Sequence, residues 1–136
     1  MKTAKEILSG GEYTCVLCKD DIIITSNKRG VAPLVELLDS KTPTKDFCAA
    51  DKVVGRAAAF LYVLLEVKSV HANVLSIPAL KVFKVFNIDV TYDTLCDYIE
   101  NRQKNGRCPM ESAVLDIEGP DAALSAIRQK MEELRK

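Results

Sequence analysis

Three features of the chain predict an α/β fold built on a mixed sheet. Apolar β-like runs alternate with helical periodicities from residue 47 onward, the pattern of a mostly parallel sheet with helices on both faces. Near the start, two β-like runs flank the short polar stretch Cys18-Lys19-Asp20-Asp21, which predicts an antiparallel hairpin opening the sheet. The stretch from Val53 to Val67 is apolar around most of a helical circumference, so it must be buried against that sheet.

The elements follow in order. Residues 3–8 form a short helix ended by Gly10-Gly11. Glu12 to Leu17 and Asp20 to Thr25 are the hairpin strands. Ile22-Ile23-Ile24 is apolar on both faces, which predicts a central position for the second strand. Ser26 to Gly30 is a polar loop. A helix over Val31–Leu38 follows, with Val31, Leu34, Val35 and Leu38 at helical spacing and Pro33 tolerated in the first turn. Phe47 to Ala50 is a short strand, Asp51 a helix cap, and Val53 to Val67 the long helix. Ser69 to Leu75 is a strand, Ser76 caps a helix over Pro78–Phe86, and Ile88 to Tyr92 is the next strand. Residues 98–102 read as extended and 103–107 as an exposed loop. Cys108-Pro109-Met110-Glu111 opens a helix to Leu115. Gly119-Pro120-Asp121 starts an amphipathic C-terminal helix over about 120–135, striped by Leu124, Ile127, Met131 and Leu134.

At 136 residues the chain is one domain, long enough to bury a core without staples. Lys plus Arg equals Asp plus Glu at 19 each, so there is no basic excess to serve nucleic acid or a polybasic membrane anchor. The longest apolar run, Ala57 to Leu65, is too short to span a bilayer, and no stretch of signal-peptide length follows Met1. The five cysteines are odd in number and lack framework spacing, which fits a reduced, cytoplasmic protein.

Ligands of such sheets bind beyond the carboxyl ends of parallel strands, at helix N-termini. Two junctions qualify: Ser26–Gly30, and Ala50 to Arg56. In the second, Asp51 either caps the long helix or handles protons. Lys52 opposes the helix macrodipole unless an anion is bound there, although a solvated lysine explains it equally well. Gly55 allows close approach of a ligand or of a neighbouring helix. Cys108 stands at a helix start before Pro109, a setting that lowers a thiol pKa and suits a nucleophile; the plain alternative is a capping turn. Cys15-Val16-Leu17-Cys18 matches CxxC, but on a strand the two thiols point to opposite faces. His71, the only histidine, sits in a strand and reads as structural; a dyad would need Cys108 or Cys48 to meet it. No GxGxxG, P-loop or HExxH is present, and the sparse aromatics offer no stacking platform for bases.

The stretches Asn27 to Val31, Asp51 to Ala59, and Asn101-Arg102 through Cys108-Pro109-Met110-Glu111 together resemble a bacterial family, domain of unknown function 1893, over about residues 5–116. The resemblance implies a cytidine-deaminase-like fold, a three-layer α/β/α sandwich, without implying a reaction. Zinc deaminases open one helix with His (or Cys) and Glu, and the next with two Cys. The matching starts here, Arg29-Gly30-Val31-Ala32 and Asp51-Lys52-Val53-Val54, carry no His or Cys. Ordinary zinc-dependent deamination is therefore not expected, and neither a metal nor another cofactor is predicted.

The leading expectation is a binding module for a small anionic or nucleotide-like ligand. Arg29, Gly30, Lys52 and Gly55 would line the site, with Asn101 and Arg102 folding over it. The second is an enzyme with Cys108 as nucleophile, Asp51 or Glu111 handling protons and Lys52 stabilising an oxyanion. The third is a structural role through homo-oligomerisation.

Overall fold

A computed structural model describes residues 3–100, 103–104 and 106–135. Five strands, β1 (Cys15–Lys19), β2 (Ile22–Ser26), β3 (Cys48–Val54), β4 (Ser69–Ser76) and β5 (Asp89–Cys96), form one sheet in the order β2-β1-β3-β4-β5. β1 pairs antiparallel with both β2 and β3, whereas β3, β4 and β5 are parallel. The helices are α1 (Ala4–Ser9), α2 (Ala32–Asp39), α3 (Arg56–Leu64), α4 (Ile77–Val85), α5 (Pro109–Ala113) and α6 (Pro120–Arg135).

The hairpin turn is as tight as its polar residues suggest. Lys19 lies opposite Ile22, leaving Asp20-Asp21 as the loop, with Asp20 at φ 54°. Asp tolerates this left-handed conformation better than most residues. Thr3 caps α1 and Ser76 caps α4, each side chain accepting a backbone N–H three residues on.

The two faces of the sheet are unequally covered. Leu17, Ala49, Val70 and Ala72 face a large core with Leu34 and Val35 of α2, most of α3, and Val82 and Phe83 of α4. α6 adds Ala123 and Ile127, packing on α3. The opposite face carries α1, where Ala4 and Leu8 sit on Val16 and Ala50. Helices thus lie on both sides of a mixed sheet, as predicted, but among the described residues one side carries a single six-residue helix. Cys15 joins the large core and Cys18 packs by α1, so the CxxC thiols do fall on opposite faces.

Two expectations are corrected. β2 is an edge strand, not a central one: β1 takes β2 on one side and β3, which arrives after α2, on the other, so among the described residues no strand reaches the outer side of β2. Asp51 is not a helix cap. β3 runs through it to Val54 and α3 starts at Arg56, with Gly55 as its N-cap residue. The β-branched pair Val53-Val54 prolongs the strand. Smaller shifts follow similar causes. α3 stops at Leu64 because Glu66 turns to φ 58°, and β5 extends to Cys96 along its ladder with β4.

Ala50 is fully buried beneath α1, where only a small side chain fits. Ala50→Leu should cost about 1–3 kcal/mol through overpacking. The urea midpoint should fall, and amides of Ala4–Ser9 should exchange faster. An unchanged midpoint would mean that α1 is not tightly seated.

Candidate functional site

A cavity of about 370 Å³ opens beyond the carboxyl end of β3. Its walls bring together Arg29, Gly30, Asp51, Lys52, Gly55, Cys108 and Glu111, seven of the nine residues expected from sequence. Asn101 and Arg102 lie outside the described residues. Reasoning from sequence missed the apolar part of the wall: Val31, Val53, Ala57, Ala58, Ile99 and Met110. No spacing pattern links these positions; the fold alone assembles them. Periodicity places Val31 on the packing face of a helix, and Ile99 reads from sequence as part of an extended stretch.

Each polar member owes its place to a local feature. Gly30 has φ 66°, a conformation open to glycine, and it turns the chain from β2 into α2. No side chain caps α2. Arg29 and Lys52 are exposed, and among the described residues neither takes part in an ion pair.

Glu111 is buried, and both carboxylate oxygens are occupied. The Arg56 N–H donates to Oε1 at 2.7 Å and the Ala57 N–H to Oε2 at 3.0 Å. These are orphan donors at the start of α3, so Glu111 supplies the cap from 55 residues away. Arg56 completes the join. Its Nε donates to the Val114 carbonyl at 3.1 Å, its Nη2 to the Ile117 carbonyl, and its guanidinium lies 4.9 Å from the centre of the Phe60 ring. Gly55 is required by the same contact, because a Cβ there would overlap the Glu111 carboxylate. The close approach predicted at Gly55 is thus to a neighbouring side chain. The anionic group at the α3 N-terminus is the protein's own.

Asp51 is the second buried acid. Tyr62 Oη donates to its Oδ2 at 2.7 Å and lies 3.3 Å from Cys15 Sγ. Since the tyrosine proton is directed at Asp51, the thiol is the donor to Tyr62. Burial pushes the Asp51 carboxyl up to about 7, although the Tyr62 hydroxyl and nearby backbone N–H groups favour its charged form. Burial likewise raises Tyr62, and Cys15 is pushed up to about 12 by burial and by the Asp51 charge. An acid near neutrality at a cavity wall can both hold and release a proton.

Cys108 is half-buried at the start of α5, as expected, although α5 has only five residues. His71 does not meet it. The histidine lines a separate groove on the α1 side, with Nδ1 2.7 Å from Thr91 Oγ1 and Nε2 3.5 Å from Asp93 Oδ1. Cys48 lines that groove too. Among the described residues, no group of three or more His, Cys, Asp or Glu side chains is arranged to hold a metal ion.

The protein is thus of the α/β sandwich class, with a small-molecule-sized cavity at the carboxyl end of a parallel strand. The family model described as "Domain of unknown function (DUF1893)" matches residues 3–131, and the chain belongs to this family. It is similar, at 26% identity and TM-score 0.82, to the crystal structure of a DUF1893 family protein (TM1506) from Thermotoga maritima, over 96% of this chain and 86% of that one. No curated protein matches.

Two predictions test this geometry. Gly55→Ala should cost about 1–2 kcal/mol by displacing the Glu111 cap. In a Glu111→Ala background the cost should largely vanish, giving a coupling that a double-mutant cycle measures. Additive effects would show that Gly55 and Glu111 do not share one contact. For Asp51, the folded protein keeps a proton that the unfolded chain releases near pH ~3.9. Between that value and about 7 the folded state binds more protons, so stability falls as pH rises and then levels off. At ~1.4 kcal/mol per pKa unit this slope amounts to a few kcal/mol. Asp51→Asn keeps an acceptor for Tyr62 and should flatten it; an unchanged urea-midpoint profile would place the slope elsewhere.

Proposed function

We propose that this protein binds a small anionic or nucleotide-like ligand in the cavity at the end of β3. The observation that carries this reading is the joining of an apolar wall to two exposed cations outside any described ion pair, Arg29 and Lys52, in one cavity. Such a site takes a ligand with an apolar or aromatic body and a negatively charged end. The body would rest on Val31, Val53, Ile99 and Met110, and the charge would meet Lys52 and Arg29. Because Glu111 occupies the first N–H groups of α3, the anion is held by side chains and not by that helix terminus.

The finer fold reading is cytidine-deaminase-like, supported by the opening hairpin, the three parallel strands and the site's position between α2 and α3. The residues do not fit the zinc of that fold. The helix starts at Val31-Ala32 and Gly55-Arg56 carry no His or Cys, so no step through a metal-bound water is derived.

A second reading is a cysteine-dependent transferase or hydrolase. It is favoured by one observation: Cys108 lines the same cavity as Asp51, an acid poised near neutrality. Asp51 would then move protons and Lys52 would face a developing oxyanion, while Glu111 is committed to α3.

Native mass spectrometry of freshly purified protein should show a species heavier than the 15.0 kDa chain. Arg29→Ala with Lys52→Ala should weaken retention at least about tenfold, roughly 1.4 kcal/mol. A bare chain, or retention indifferent to both substitutions, would remove the binding reading. Rapid alkylation of Cys108 that Asp51→Asn slows would instead favour the cysteine enzyme.

A further inference from the structure

We propose that the outer edge of β2 pairs antiparallel with β2 of a second copy of this chain, giving a two-fold dimer with one continuous sheet. β2 is hydrogen-bonded on one side only, and among the described residues no strand pairs with its other side. Its outward backbone N–H and C=O groups are a template for another strand. Edge strands of monomers usually blunt this hazard with charge, proline or inward-pointing polar groups. Ile22-Ile23-Ile24-Thr25-Ser26 has no charge and no proline, and its isoleucines are the composition of an interior strand. Ile22 and Ile23 are 57% and 54% exposed and lie on opposite faces, so both sides of this edge present apolar surface to water.

The other edge is different. β5 carries Asp89 and Asp93, so self-pairing over this stretch, antiparallel about Thr91 or parallel in register, brings carboxylates of the two copies together. One edge is open and the other protected, so assembly closes at two copies instead of running on as a filament.

Charge selects the direction and the partner. Antiparallel pairing about Ile24 sets Ile23 against Thr25 and Ile22 against Ser26, and brings the Asp20-Asp21 turn of one copy towards the segment of the other that carries Lys28, which Glu36 also holds. The acidic end of one hairpin strand therefore meets the basic end of the other, twice, by symmetry. Parallel pairing would set Asp20 and Asp21 beside the same residues of the second copy. A five-residue strand makes a small contact, of the class seen in transient assemblies, so dimerisation should depend on concentration.

Sedimentation velocity across a concentration series, with hydrogen exchange at each end of it, tests the proposal. The expected result is a shift from 15.0 kDa to twice that mass, with slower exchange of β2 amides at high concentration. Ile23→Lys, checked for native far-UV circular dichroism, should remain monomeric. If that variant does not fold, exchange in the unaltered protein decides alone. A monomer at every concentration would overturn the proposal. So would a dimer whose β2 amides gain no protection, or one that survives Ile23→Lys.

Discussion

The contact between the Glu111 carboxylate and the first two N–H groups of α3 is the constraint on which the site depends. A buried helix start cannot leave its donors unpaired without a cost comparable to lost hydrogen bonds. In most helices a neighbouring Ser, Thr, Asp or Asn answers this need. Here Gly55 has no side chain to offer, and the answer comes from α5. That choice holds α5 against the start of α3, at the carboxyl end of β3. It seats Cys108 and Met110 at the cavity, and Arg56 then ties down the carbonyls that follow. Cavity and fold are held by the same bonds.

The buried line from Cys15 through Tyr62 to Asp51 is the second constraint. It places three titratable groups between sheet and α3, where apolar residues would pack more simply. Each is hydrogen-bonded, so none is left as an orphan. The carboxyl nevertheless pays for its burial with a raised pKa, and that sets an acid near neutrality against the cavity. A structural role and a chemical one are compatible at this position, because the same desolvation produces both.

Much of the architecture was legible in the residues. Periodicity, caps and turn residues together pointed to each helix and strand of the described residues, since such patterns reflect which face an element buries and where it stops. Ser76 and Pro78 marked the start of α4 through local hydrogen bonding alone. Boundaries were less legible where a partner distant in sequence decided them. Asp51 has the local look of a helix cap, and Tyr62, together with nearby backbone N–H groups, makes a buried carboxyl tolerable in mid-strand. Gly55 suggested a close approach, but not that Glu111 was the approaching group. The isoleucines of β2 indicated a central strand, and the single chain leaves them at an edge.

By itself the sequence determined the class of fold, the hairpin that opens it, and the charged and nucleophilic residues available to a site, because these follow from short-range pattern and composition. The tertiary structure decided which of them meet. It gathered Arg29, Lys52, Asp51 and Cys108 around one cavity, sent His71 to another face, and committed Glu111 to a helix start. These outcomes depend on burial and on long-range hydrogen bonds. Neither is written in the spacing of the chain.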